Sequence, residues 1–254
     1  MYVAPVPCVR VLIPQSRSGT FASATERRRV ATAVDRSDIA AAVGPSPYEV
    51  PTERLLDPGA TGISPADVAG QPSAGPVVLL YRNRRREPQV AQIVAMSLRG
   101  VGIDTQLRQL VPTGGWTRTP VSPRGVDLGV PVLCSYLDAG LPADLVGLFS
   151  REDFQAPDYS AELLDGGFFH PDVERLLGEA ARAGTRTQAR SLLAQAEDVA
   201  LAEAAFVPLV RRQYVTFTGT RVRNWQYLPG GWQYDITQVW LNGGGSPVDS
   251  PREP

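Results

Sequence analysis

The 254-residue sequence contains no lysine: all 25 of its basic side chains are arginine. That absence excludes a GxxxxGK[ST] phosphate loop and any Schiff-base chemistry, both of which need the lysine amine. Histidine is nearly as scarce, with His170 standing alone, so a zinc site built on several histidines cannot form within one chain. Any Ser-His-Asp or Cys-His arrangement would have to use that same residue, and no Gly-x-Ser-x-Gly elbow accompanies it. Two cysteines, Cys8 and Cys134, allow one disulfide or none, and their spacing does not decide which. Long apolar runs are missing too: no stretch reaches the roughly 18–20 residues of a membrane helix. The start, MYVAPVPCVRVLIPQ, has neither a basic opening nor the apolar core of a secretory signal. A net charge of −1 gives no bulk attraction to nucleic acid or to an anionic membrane.

What is present is a folding composition: 43% hydrophobic and 20% charged residues, with Gly 24 and Pro 23 predicting many loops. Val9–Ile13 reads as a strand closed by Pro14. A helix is expected from Ala24 to Val34, with Arg27, Arg28 and Arg29 towards solvent. Ser37 is a candidate cap for a short helix, Asp38 to Val43, ended by Gly44-Pro45. Residues 45–76 read as a long irregular connection.

Val77–Tyr81, Pro88–Arg99 and Ile103–Leu110 have the order strand, helix, strand, the signature of a parallel crossover. Its first turn carries no glycine fingerprint, so no nucleotide is indicated. Val126, Leu128, Val130 and Val132 alternate as one strand. Two helices, Pro171–Ala183 and Thr187–Glu203, carry apolar stripes. Strands at Phe206–Val210 and Tyr214–Thr218 are expected, broken at Arg211-Arg212. The aromatic residues Trp225, Tyr227, Trp232, Tyr234 and Trp240 are expected to pack the closing segment on the core, and the last residues to fray.

In this order the stretches resemble a known family. TERRRVATAVDRSDIAAAVG resembles the "vRqAlayAiDReaI" helix of family 5 extracellular solute-binding proteins, the peptide-binding components of ABC importers. VPTERLLDPGATGISPAD is similar to the loop after that helix, and VVLLYRNRRREPQVAQIVAMSLRGVGIDTQLRQL to the family's strand–helix–strand. FFHPDVERLLGEAARAGTRTQARSLLAQAEDVALAEAAFVPLVRR and GTRVRNWQYLPGGWQYDITQVWL resemble its later helices and closing segment.

The resemblance implies an α/β fold: a periplasmic-binding-protein-like type II lobe with a mixed sheet flanked by helices, plus a C-terminal return segment. Residues 1–20 would be a crossover strand from an absent N-terminal lobe, 21–218 the second lobe, and 219–254 the return segment and frayed tail. Family members are about twice this length, so the chain is expected to be the C-terminal half. The implied partners are a peptide or other small solute, ABC permease subunits and the N-terminal lobe, outside the cytoplasm. No enzymatic activity, cofactor, metal or nucleic acid is implied.

Within SYLDAGLPADLVGLF, Asp138 matches the aspartate of a "W..D..dP" turn that pairs with a peptide's α-amino group, and Tyr136 beside it is a candidate cleft residue. The tryptophan position is Ser135 and the second acidic position is Leu141. A solvated turn is the plain reading of Asp138. Asp35-Arg36 and His170 read as helix-end residues. Two further readings stand beside transport: a degenerate, non-transporting interaction lobe of the cell envelope, and the ligand-sensing domain of a regulator.

Overall fold

A computed structural model of the chain describes residues 2–16, 19–44, 49–56, 75–83, 86–110, 127–129, 132–134, 168–226 and 236–242. Its described strands are β1 (Tyr2–Pro14), β2 (Glu49–Pro51), β3 (Val77–Arg82), β4 (Thr105–Leu110), β5 (Leu128–Gly129), β6 (Val132–Cys134), β7 (Val207–Thr216), β8 (Val222–Arg223) and β9 (Trp240–Leu241). Its described α-helices are α1 (Ala24–Ala33), α2 (Arg36–Val43), α3 (Glu87–Gly100), α4 (Pro171–Ala181) and α5 (Arg186–Ala202).

Seven strands form one sheet in the order β2-β7-β1-β5-β3-β4, with β6 also paired to β1. The expected crossover is present: β3 and β4 are parallel, Val77 facing Thr105 through Arg82 facing Leu110. β5 runs parallel to β3, while β1 is antiparallel to β5, β6 and β7. The sheet is therefore mixed, and β3, β4, β5, β6 and β7 share one direction.

Alternation along β1 splits the core. Leu12 joins Phe21, Val30, Ile39, Val94 and Leu98 beneath α1, α2 and α3. Val9, Val11 and Ile13 join Leu176, Leu193, Ala200 and Phe206 beneath α4 and α5. This is a helix–sheet–helix arrangement, the periplasmic-binding-protein-like α/β architecture that the resemblance implies.

Local chemistry explains the ends. Pro88 and Pro171 stand in the first turns of α3 and α4, where no intrahelical donor is lost. Gly102 takes φ +78 after α3, and Ile103 N donates to Leu98 O at 2.9 Å.

Several expectations are corrected. Asp35, not Ser37, caps α2, accepting from Ser37 N at 2.7 Å and Asp38 N at 3.2 Å. A three-residue strand, β2, interrupts the expected irregular connection. Of the alternating run at 126–133, Leu128–Gly129 (β5) and Val132 with Leu133 (the start of β6) are strand as expected, both antiparallel to β1, and residues 126 and 130–131 lie outside the described residues. The strands expected on either side of Arg211-Arg212 are one strand, β7, because Arg211 is buried and its Nη2 donates to Arg54 O at 3.0 Å and Leu55 O at 2.9 Å. β7 also carries a bulge: between Arg10 and Val11 its partner jumps from Val210 to Pro208. Leu209 and Val210 then enter the same core cluster, and the Pro208 carbonyl accepts from Arg36 Nε at 2.7 Å.

The arginine run of α1 does not face water. Arg27 and Arg29 are buried. Arg27 Nη1 donates to Phe21 O and Ala22 O, each at 3.0 Å, and its Nε to Glu203 O at 3.0 Å. Arg28 Nε donates to Ala202 O at 2.8 Å and Nη2 to Glu203 Oε1 at 3.0 Å. These guanidinium groups cap the carbonyl end of α5, where orphan acceptors and the helix dipole favour cations. Arg29 binds Val101 O at the end of α3. One basic stretch thus ties α1 to two other helices.

The β8–β9 pair is a separate two-stranded sheet, and none of its residues enters either core cluster. Trp240 is 54% exposed, so the expected packing of this aromatic residue on the core does not occur. Among the described residues no helix is long and apolar enough to cross a membrane.

Candidate functional site

Strand direction marks one edge of the sheet. β3, β4, β5, β6 and β7 all deliver their C-terminal ends there, and α3 begins just after β3 does so. Ligands of open α/β sheets bind outside such carboxyl ends, where loops rather than ladders finish the chain. Tyr136 and Asp138 follow the last residue of β6 by two and four positions in the sequence, and both lie outside the described residues. Tyr227, Trp232 and Tyr234 also lie outside them.

Beneath this edge sits a charged group that the sequence reading missed. Arg10 on β1 is 2% exposed. Its Nη2 lies 3.6 Å from Glu49 Oε1 on β2 and its Nη1 4.0 Å from Glu87 Oε1 in the first turn of α3. The cation joins an inner strand, an edge strand and a helix start, so none of the three shifts without uncovering charge. β1 reads apolar on both sides of Arg10, and a lone arginine inside VRVLI was the available signal.

A second group pins the segment after β2 on the opposite face. Glu197 of α5 is 1% exposed; it accepts from Leu55 N and, at 3.3 Å, from Leu56 N. Arg54 Nη1 lies 3.7 Å from Glu197 Oε2, and its Nη2 binds Asp198. Burial pushes the Glu197 carboxyl above the usual carboxylate range, partly offset by the Leu55 amide and the Arg54 charge. Glu197 was legible as the one acid on the buried stripe Leu193, Ala196, Ala200. Together with Thr52 N donating to Leu209 O at 3.1 Å, this clamp holds residues 52–56 against β7.

His170 is a helix cap, as expected: its Nδ1 accepts from Asp172 N at 3.3 Å. Its ring stacks on Phe168 at 6.3 Å, and the Arg27 guanidinium lies over the Phe168 ring, 5.6 Å from its centroid. Among the described residues no group of three or more His, Cys, Asp or Glu could hold a metal. The described chemistry is architectural: ion pairs hold a rigid edge, and the edge offers a wall.

No family model and no curated protein matches the sequence. Solved structures do match the fold. Clavulanic acid biosynthesis oligopeptide binding protein 2 aligns with a TM-score of 0.73 at 18% identity, over 95% of this chain and 48% of its own. The ABC transporter substrate binding protein CtaP from Listeria monocytogenes aligns with a TM-score of 0.73 at 12% identity, over 95% and 52%. OppA from Haemophilus influenzae, solved in complex with RPPGFSPFR, aligns with a TM-score of 0.64 at 15% identity, over 95% and 50%. The chain therefore has the fold of solute-binding proteins of ABC importers and spans about half the length of each.

Proposed function

We propose that the chain is a solute-binding lobe of an ABC importer, working with a first lobe that closes the other wall of the cleft, and that its solute is a peptide. The observation that carries this reading is a complete fold match over half a protein, in a chain whose arm exposes apolar residues. Phe217, Ile236, Trp240 and Leu241 are 69%, 66%, 54% and 62% exposed, and all follow β7. Large side chains gathered on a segment outside the core are the mark of a surface made for another body. In this scheme residues 1–20 cross from the first lobe, 21–218 form the second, and 219–254 return to the first.

A peptide is favoured because the resemblance assigns Asp138 the role of accepting from a ligand ammonium, with Tyr136 as its neighbour in the cleft. A carboxylate held at a partly desolvated cleft forms charge-assisted hydrogen bonds worth about 1.5–3 kcal/mol. Lobe closure over the solute would then present one face to permease subunits outside the cytoplasm. The work is differential binding between open and closed states, with no bond made or broken. Ser135 and Leu141, which depart from the family's turn, favour a second reading: a lobe that has kept its interaction surfaces and lost transport.

Calorimetry with a tripeptide and its N-acetyl form, on the assembled two-lobe protein, tests the role of Asp138. Loss of the ammonium should weaken binding by about 10- to 100-fold in the native protein and hardly at all in Asp138→Asn. Equal binding of both peptides to the native protein would remove Asp138 from the site.

A further inference from the structure

Cys8 on β1 is 1% exposed and disulfide-bonded, and Cys134 on β6 is the only other cysteine of the sequence. The register sets the two opposite each other, followed by Val9 with Leu133 and Arg10 with Val132. Among the described residues β6 pairs with β1 alone. On the other side of β1 the ladder with β7 is irregular between Pro5 and Val9, so regular pairing there lapses where Cys8 sits. The cross-link therefore ties β6 to β1 where the β1–β7 ladder is poorest. It also joins positions more than a hundred residues apart, which removes a large share of the unfolded chain's freedom.

We propose that the Cys8–Cys134 bond is the lock that completes this lobe, that its native assembly depends on oxidation, and that its maturation partner is a disulfide-carrying thiol oxidant. The thiolate of one cysteine attacks the carrier's disulfide and expels one carrier thiolate. The second cysteine attacks the resulting mixed disulfide and releases the other carrier thiolate. The chain loses two electrons and two protons, and the carrier becomes a dithiol holding both. Cytosolic thiol pools oppose this step, so the native state belongs to a compartment that supplies such an oxidant. This inference does not rest on solute binding, and its readouts involve no solute. With Cys8 sealed, reduction of the folded protein has to wait for β6 to open.

The test uses the full chain refolded with oxidised glutathione, followed by intact mass after alkylation, thermal melts with and without phosphine reductant, and amide exchange at residues 132–134. The expected result is no alkylation of the folded chain until reductant is added. Reduction should lower Tm by about 5–15 °C. It should speed exchange in β6 more than 100-fold while β3 and β4 change little. Because the reductant acts on the native sequence, the outcome does not depend on whether Cys8→Ser/Cys134→Ser folds. Free thiols in the oxidised, folded chain would overturn the proposal. So would a Tm within about 2 °C after reduction with β6 protection retained.

Discussion

The lobe and the arm that leaves it treat apolar residues in opposite ways. Between Cys8 and Val210 the large side chains Leu12, Ile13, Phe21, Ile39, Leu98 and Phe206 are sealed under helices on both faces of one sheet. After β7, Phe217, Ile236, Trp240 and Leu241 stand more than half exposed on a segment whose described residues form the β8–β9 ribbon and a 3-10 turn at Ile236–Gln238. Both regions carry the same residue types, so hydrophobicity does not separate them; the presence of a covering layer does. The lobe has what it needs to fold, and the arm carries surface that the lobe does not use.

The largest effect that sharpens this contrast should come from Phe206, which fills the core under α4 and α5. Phe206→Ala should cost about 3–5 kcal/mol in urea melts, through lost transfer energy and the cavity left behind. Arg27 comes next. Its guanidinium makes three hydrogen bonds to backbone carbonyls and lies 3.5 Å from Glu203 Oε2. Arg27→Ala should cost about 2–4 kcal/mol by stranding acceptors that only a fork reaches, and Arg27→Lys should recover little of it.

Those two residues also mark how far the sequence could be read. The stripes of α3, α4 and α5, the parallel crossover and the helix-end role of Asp35 follow from spacing and cap chemistry, which are local. The arginine run of α1 was misread because its partners, Ala202 and Glu203, lie far along the chain, and charge periodicity says nothing about carbonyls waiting at another helix's end. β7 was cut in two for a similar reason: Arg211 looks like a breaker until Arg54 and Leu55 are seen to receive it. Trp240 reads as a core residue because aromatic residues usually pack inward; no local rule tells that it stands exposed. Of the candidate site, the edge and its Arg10 anchor come from strand direction, whereas Tyr136 and Asp138 rest on the motif alone.

A smaller effect concerns pH. Burial raises the Glu197 pKa in the folded lobe above its unfolded value. The folded state therefore binds this proton more tightly. The stability it contributes is full below the ordinary carboxylate range and is lost as pH rises through the folded pKa. Glu197→Gln keeps an oxygen for the Leu55 amide and removes the titration. Melts of this variant from pH 4 to 8 should show a flatter rise and fall of Tm than the native chain. A profile unchanged by the substitution would mean that the clamp on residues 52–56 does not titrate in this range.

The smallest effect is the most telling about the arm. Trp240→Ala should leave urea stability of the isolated chain within about 0.5 kcal/mol, because nothing in the lobe rests on an exposed side chain. A cost rivalling that of Phe206→Ala would break the contrast and return the arm to the core.

We propose that this lobe supplies one wall of a cleft and that solute binding needs the other. The direct measurement is a thermal-shift titration with short peptides, on this chain alone and on this chain mixed with a first-lobe polypeptide. Binding to the native state raises apparent stability by mass action, about 2.7 kcal/mol at a hundredfold excess over Kd. No peptide-dependent shift is expected for the chain alone, and a saturable one for the mixture. A shift for the chain alone, or none in either case, would contradict it.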